Sequence, residues 1–345
     1  MRAAIIGATG YGGAELIRLL HNHPEIEVSS VHSSSQQGTI INESYHHLKN
    51  IVDLQLEAID PVGIRQKAEL VFLSTPPGVS KDIVPGLLEQ GLKVVDLSGD
   101  LRLKQREQYE KWYGLPAAQE ALLEQAIYGL TEWEKEKVAN ATVISNPGCY
   151  PTASLLGALP LVKEKLVDPS SIIIDAKSAV SGAGRSPALN FHYPEMNDNF
   201  RIYKVNEHKH IPEIEQGLKN YDERFDTITF STHLVPMTRG IMATIYAKAT
   251  SPMSENNLRE LYEDCYAKSP FVRIRPEREY PSTKEVYGTN YCDIGVTYDE
   301  RTGRITVVSV IDNLVKGAAG QAIQNVNVML GLEEKTGLDI IPLYP

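Results

Sequence analysis

Cys149 is the residue whose setting most invites chemistry: Ser145-Asn146-Pro147-Gly148-Cys149-Tyr150-Pro151-Thr152. An apolar, β-branched run from Ala141 to Ser145 leads in, and a helix-like run from Ala153 to Leu161 leads out. Pro147-Gly148 forces a sharp turn between them. Pro151 suits a first helical turn, where a missing N–H costs nothing. The thiol then falls at a helix N-terminus, where free N–H groups and the helix dipole favour thiolate over thiol. That setting makes a nucleophile. The plainer alternative is a small buried hydrophobe at a strand–helix junction.

Two later segments could assist such a thiolate. Val205-Asn206-Glu207-His208-Lys209-His210-Ile211-Pro212-Glu213-Ile214 places two histidines and a lysine just before a helix opening at Pro212. Imidazole is the side chain whose pKa best suits proton transfer near neutral pH. Each histidine alone reads equally as a surface or capping residue. A His-x-His pair also resembles a metal site, but no second cluster has the right spacing, so no metal is expected. Ser178-Ala179-Val180-Ser181-Gly182-Ala183-Gly184-Arg185 is a small, hydroxyl-rich loop ending in a cation.

The elements that must position these groups begin at the N-terminus. Ala3 to Ile6 reads as a buried strand, followed by Gly7-Ala8-Thr9-Gly10-Tyr11-Gly12-Gly13. Apolar residues at helical spacing run from Ala14 to Leu20, and a second strand runs from about Ile26 to His32. This β–Gly-loop–α–β order is the context a dinucleotide fingerprint requires, with the pyrophosphate on the helix N-terminus. Gly7, Thr9, Gly10, Tyr11, Gly12 and Gly13 are the expected cofactor-loop residues. An NAD site usually ends its second strand in a carboxylate for the ribose hydroxyl. Here that position reads Val31-His32-Ser33-Ser34-Ser35-Gln36, so NADP(H) is expected, with Ser33, Ser35 and Arg18 as candidate phosphate contacts. Further strands at Ala68–Leu73 and Lys93–Leu97 put Ser74, Thr75 and Pro76 beside the cofactor and Arg102 near the reacting end.

Beyond Cys149 the pattern changes to alternating strands at Ser171–Ala176, Ile228–His233, Ile241–Ala249, Ile294–Tyr298 and Ile305–Ile311. A helix from about Ser254 to Ala267 lies among them, so a mostly antiparallel α+β domain is expected. Asn313 to Leu330 reads as one final helix that returns to the first domain.

The bulk numbers narrow the function class. A chain of 345 residues holds two domains, and 42% hydrophobic with 23% charged residues is ordinary globular composition. No apolar run is long enough to span a bilayer, and the N-terminus enters a strand at once, so no membrane partner and no signal peptide are expected. Three cysteines form no disulfide framework, which points to a reducing cytoplasm. A net charge of −10 argues against nucleic acid as a partner.

A thiolate, a nicotinamide cofactor and a proton-carrying histidine together define one reaction class. An acyl phosphate acylates the thiol, and NADPH reduces the thioester to an aldehyde; the reverse needs phosphate. Backbone N–H groups beside Cys149 are candidate oxyanion donors. Arg102, Lys209 or Arg185 would serve a phosphate pocket.

These residues resemble the N-acetyl-gamma-glutamyl-phosphate reductases of arginine biosynthesis over nearly the whole chain. The resemblance rests on Gly7 to Leu16, Ser145 to Thr152, Val180 to Arg185, His208 to Ile214 and Asn313 to Gln321. Gly12 stands where a serine is common, a change a loop of small residues tolerates. The resemblance implies a Rossmann-type NADP-binding domain over 1–148 and 313–345. It implies an α+β catalytic and oligomerisation domain, semialdehyde dehydrogenase-like, over 149–312. It implies Cys149 as nucleophile and one of His208 and His210 as acid/base. His208 is favoured, because His210 lies closer to the helix opening and reads as a cap. Glu213 would orient that histidine or the substrate. Arg102 would contact phosphate, Ser181, Gly182 and Arg185 would border the site, and Asn313 and Gly317 would reach the nicotinamide. The implied partners are N-acetylglutamyl phosphate, phosphate and a second copy of the chain, as homodimer or homotetramer. Three alternatives stand beside this reading: aspartate-semialdehyde dehydrogenase, a non-catalytic NADP-binding sensor, and a thiol hydrolase.

Overall fold

The computed structural model describes residues 1–344. The chain divides into two compact units, Met1–Pro147 with Ala318–Asp339, and Gly148–Gly317 with the chain end from Ile340.

Short runs apolar on both faces build the first unit, as a parallel sheet covered by helices requires. Among the described residues its sheet has seven strands: β1 (Arg2–Ile6), β2 (Glu27–His32), β3 (Leu56–Glu57), β4 (Leu70–Leu73), β5 (Lys93–Asp96), β6 (Ile127–Tyr128) and β7 (Val143–Ser145). Their order is β3-β2-β1-β4-β5-β7-β6, and each pairing is parallel. The order reverses between β1 and β4, which opens a ligand crevice outside the carboxyl ends of those strands. Gly7 leaves β1 there with φ +83°, and a Cβ on it would lie 2.3 Å from the Ser74 carbonyl oxygen beyond β4. A Cβ on Gly13 would lie 2.5 Å from the Gly7 oxygen. The helix Tyr11–Leu20 starts from Gly10 with no side-chain cap, so its first amides face the crevice.

The return segment is bound into this unit by polar side chains buried in the helix Gly320–Met329. Gln321 Nε2 donates to the Gly129 oxygen at 2.8 Å, and Asn325 Nδ2 donates to the same oxygen at 2.8 Å. The single helix expected from Asn313 is two pieces: residues Val315–Ala319 form a wide π-helical turn, and the α-helix starts at Gly320. The Gly317 amide donates five residues back, to the Asp312 oxygen, at 2.9 Å. The boundary expected at 313 also moves. Asn313 is tied into the second unit by Ser181 and Gly240, so the chain crosses back after Gly317.

The second unit is built on a mixed sheet. Among the described residues its strands are β8 (Ile173–Ala179), β9 (Arg201–Tyr203), β10 (Thr229–Val235), β11 (Ile241–Lys248), β12 (Val272–Ile274), β13 (Cys292–Asp299) and β14 (Arg304–Ile311), ordered β12-β13-β14-β11-β8-β10-β9. β12–β13 and β8–β10 pair parallel, and the remaining neighbours pair antiparallel. The helix Cys149–Lys163 lies on β11 and β14 and is buried from Tyr150 to Val162. A helix apolar all round belongs in a core. Pro160 inside it leaves the Leu156 carbonyl without its helical donor. The Tyr266 hydroxyl donates to that oxygen instead.

Gly7→Ala is expected to lower the thermal midpoint, through a strain of roughly 1–3 kcal/mol from the left-handed backbone and the Ser74 overlap. Gly10→Ala should cost much less, because its nearest neighbour is 3.5 Å away. Paired thermal melts read the difference, and equal losses would contradict a tight loop.

Candidate active site

Cys149 is the first residue of the buried helix, preceded by Gly148 in extended backbone at φ −69°, ψ 156°. A helix supplies no acceptor for the amides of its own first turn. One of these neighbours is used: Gly148 N–H donates to Glu213 Oε1 at 2.8 Å. Glu213 is 1% exposed and sits in the first turn of the helix Ile211–Lys219. It therefore holds the cysteine loop through this bond. Pro151 has no N–H, and Thr152 N–H returns to the Gly148 oxygen at 2.9 Å.

Gly317 backs the nucleophile. A Cβ there would lie 2.7 Å from the Cys149 Cβ. Its position is directly against the cysteine. Asn313 likewise spends its amide within the second unit: Nδ2 donates to Ser181 Oγ at 2.9 Å, and Oδ1 accepts from Gly240 N–H at 2.8 Å.

A cavity of about 660 Å³ opens at Cys149, inside the second unit. His208, Lys209, His210 and Gly182 line it together with the cysteine. Ser181 is buried beneath the loop, whereas Arg185 is exposed and is not among the described residues that line the cavity. The two histidines differ. His208 is packed edge-on to the rings of Tyr150, Tyr203 and Phe230, with centroids 5.2, 5.7 and 5.7 Å away. Burial pushes its pKa down to about 3, helped by the charges of Lys204 and Lys209. Its Nδ1 accepts from the His210 amide at 3.2 Å. His210 occupies the N-cap position of its helix but makes no side-chain cap bond, so the reason for preferring His208 falls away.

Arg201, Lys204, Tyr150 and Tyr203 also line the cavity, and the sequence reading gave none of them a role. Proximity of Arg201-Ile202-Tyr203-Lys204 to the histidine segment was the available signal. The Tyr150 and Tyr203 hydroxyls are 3.0 Å apart, and burial pushes Tyr203 up to about 12, so it stays protonated.

In the first unit, Gly7, Gly10, Gly12 and Gly13 shape the loop, with Thr9 and Tyr11 between them. A Cβ on Gly12 would lie 2.5 Å from Ser74 Oγ, so serine at this position would require the Ser74 hydroxyl to turn. The glycine cradle and the uncapped helix start suit a pyrophosphate. Pro76 is exposed, and Thr75 Oγ1 is buried with no protein partner among the described residues. Ser33 ends buried just past β2, its Oγ 3.5 Å from Ser35 Oγ. Arg18 is misplaced for a 2′-phosphate: it lies in the last turn of its helix, away from the strand ends, and pairs with Glu15 at 2.7 Å. Arg102 is 6% exposed and donates from Nε to the Asn146 oxygen at 2.8 Å and from Nη2 to the Leu97 oxygen at 2.9 Å. It clamps the ends of β5 and β7. Among the described residues no group of three His, Cys, Asp or Glu side chains could hold a metal ion, and no helix is long and apolar enough to cross a membrane.

A dinucleotide crevice in one unit and a helix-borne cysteine in the other define a class. Residues 2–141 match the semialdehyde dehydrogenase NAD-binding domain, and residues 149–313 match the semialdehyde dehydrogenase dimerisation domain. The chain belongs to the semialdehyde dehydrogenase family. It is 60% identical over 345 residues, all of both chains, to N-acetyl-gamma-glutamyl-phosphate reductase from Geobacillus sp. (strain WCH70). It is 57% identical over 344 residues, again all of both chains, to the protein of that name from Bacillus cereus (strain AH187). Its group within the family is therefore the one its motifs resemble. Two solved structures share the fold. Aspartate semialdehyde dehydrogenase II from Vibrio cholerae, complexed with ASA, superposes with TM-score 0.73 at 17% identity over 96% of this chain and 98% of that one. Aspartate semialdehyde dehydrogenase with NADP from Candida albicans gives 0.69 at 19%, over 95% and 98%.

Glu213→Ala is expected to leave the buried Gly148 amide unsatisfied, at about 1–3 kcal/mol, and to slow alkylation of Cys149 by iodoacetamide. Glu213→Gln keeps an acceptor oxygen and should retain most of both properties. If the two variants behave alike in melting and alkylation, the carboxylate does not hold the loop in this way.

Proposed function

We propose that the chain is an N-acetyl-gamma-glutamyl-phosphate reductase, producing N-acetylglutamate semialdehyde and phosphate for arginine biosynthesis, with NADPH as reductant. The observation that carries the reading is Cys149 at the head of a buried helix, opening on a cavity that also holds His208, Lys209 and His210. The full-length relatives of the same name support the substrate.

In this reading the Cys149 sulfur attacks the acyl carbon, and the C–O bond to phosphate breaks as the thioester forms. The phosphate leaves with the bonding pair and takes up a proton. The amides of Cys149 and Tyr150 receive the negative charge that develops on the acyl oxygen. Lys209, which lines the cavity, is the proposed phosphate contact. When bound, the nicotinamide supplies hydride to the thioester carbon. His210 then gives a proton to the resulting oxyanion and takes it back as the C–S bond breaks and the thiolate leaves. His208 stays neutral above about pH 3, packs the Tyr150 ring and accepts the His210 amide. Glu213 and Gly317 hold the cysteine in place, and Ser181 and Asn313 hold the loop bearing Gly182.

The first unit is the proposed cofactor domain, through Gly7, Thr9, Gly10, Tyr11, Gly12, Gly13, Ser74 and Pro76. NADP is preferred because β2 ends in Ser33 and Ser35 without a carboxylate to repel a 2′-phosphate. The dimerisation-domain match supports a homo-oligomer that forms through the second unit.

The test is phosphate-dependent reduction of NADP⁺ with N-acetylglutamate semialdehyde, set beside aspartate semialdehyde and beside NAD⁺. Activity with the acetylated substrate and a preference for NADP⁺ are expected. Activity only with aspartate semialdehyde would overturn the substrate, and equal use of NAD⁺ would overturn the Ser33 and Ser35 reading. Cys149→Ser should lose at least about 100-fold in kcat while NADPH still binds, since losing a nucleophile removes several powers of ten.

A second prediction separates the histidines by pH–rate profile. His210→Asn should cost about 100-fold or more in kcat and change the shape of the profile. His208→Asn should keep the wild-type shape. Its stability effect has a defined sign: the folded pKa lies below the unfolded value near 6.5, so the unfolded chain binds the extra proton. Wild-type stability should therefore fall as pH drops from 6.5 towards 3, with a shallower slope in His208→Asn.

A further inference from the structure

The cavity at Cys149 has a charge set that the chain as a whole does not. The chain carries a net charge of −10, yet Arg201, Lys204 and Lys209 line this cavity and none of its described lining residues is Asp or Glu. Arg201 lies on the edge strand β9, opposite Leu234 of β10. One donor of its guanidinium is fixed on the Asn190 oxygen at 2.8 Å, which holds the fork in place. Lys204 follows directly after β9 with φ +46°, a left-handed backbone that favours glycine. Its charge, like that of Lys209, reaches His208 and presses that imidazole toward neutrality. Between the cations, Phe191, Ile202 and Leu234 present apolar surface.

We propose that Arg201 and Lys204 form an anion subsite that selects an N-acylated acyl chain bearing a carboxylate and turns away one bearing a free ammonium. The inference rests on Cys149 being the nucleophile of the proposed reaction. A carboxylate on the acyl chain gains charge-assisted hydrogen bonds from the fork and the ammonium of these two residues. A free α-ammonium would face these cations with no acid among the described lining residues to pair it. That repulsion is specificity by exclusion, and it acts before any difference in apolar contact. An N-acyl nitrogen is neutral and escapes it, and its acyl group has Phe191, Ile202 and Leu234 to pack on.

The test uses the purified full chain and follows Cys149 alkylation by mass spectrometry, with iodoacetate and iodoacetamide as anionic and neutral probes. The ratio of iodoacetate to iodoacetamide rates should fall about threefold or more in Arg201→Met and in Lys204→Met, and Lys204→Arg should restore it. N-acetyl-L-glutamate should protect Cys149 in the wild type and L-glutamate should not. That protection should weaken by about tenfold in each Met variant, the scale of one lost charge-assisted contact. In turnover the loss should fall on KM more than on kcat. An unchanged ratio with unchanged protection would overturn the subsite while leaving Cys149 as nucleophile. Protection by L-glutamate equal to that by N-acetyl-L-glutamate would overturn the selectivity. Failure of both reagents to alkylate Cys149 would sink the nucleophile, and the subsite with it.

Discussion

One buried hydrogen bond organises the second unit: Gly148 N–H to the Glu213 carboxylate, at 2.8 Å. Glu213 lies in the first turn of its own helix, where the dipole favours negative charge, and it accepts from the residue that caps a second helix. One carboxylate thus serves two helix starts. Its removal would strand an amide in a site nearly closed to water and free the turn that carries Cys149. Gly317 closes the other side, since only a residue without Cβ leaves room beside the cysteine. The wide turn at 315–319 coincides with that approach. It lets the chain pass the cysteine closely before entering the regular helix at Gly320.

The electrostatics of the cavity follow from what surrounds this anchored helix. Aromatic rings pack on His208, and its burial holds it neutral. His210, one turn of chain away, sits at a helix start with its amide committed to His208 Nδ1. Both rings line the cavity, and His208 is the one held neutral by its burial. The nearby cations then set the sign of the pocket, against the sign of the whole chain.

Much of the architecture was legible before any coordinates. Ala3–Ile6, Gly7–Gly13 and the helix after them read correctly, because hydrophobic period and glycine spacing are local properties of the chain. The cysteine turn read correctly for the same reason: Pro147-Gly148 and Pro151 constrain backbone within a few residues. The single helix from Asn313 did not, because the π-turn there lies against Cys149, a contact between distant segments that local spacing does not carry. Arg18 was misplaced because spacing along a helix says which face a residue is on, not which end of the sheet it reaches. Arg201 and Lys204 were passed over because a short strand flanked by two cations looks like any solvated strand.

The sequence by itself determined the class of chemistry: a thiol at a helix start, a glycine loop after a first strand, and no carboxylate at the end of the second. These are short-range features, and each carries its own physical reason within a few residues. Only the tertiary structure decided how the groups are used. It put Glu213 on the cysteine loop, Gly317 against Cys149, Asn313 under the Ser181 loop, and cations rather than acids around the cavity. Those outcomes depend on which distant segments pack together, and burial, not residue type, then sets each group's charge and partner.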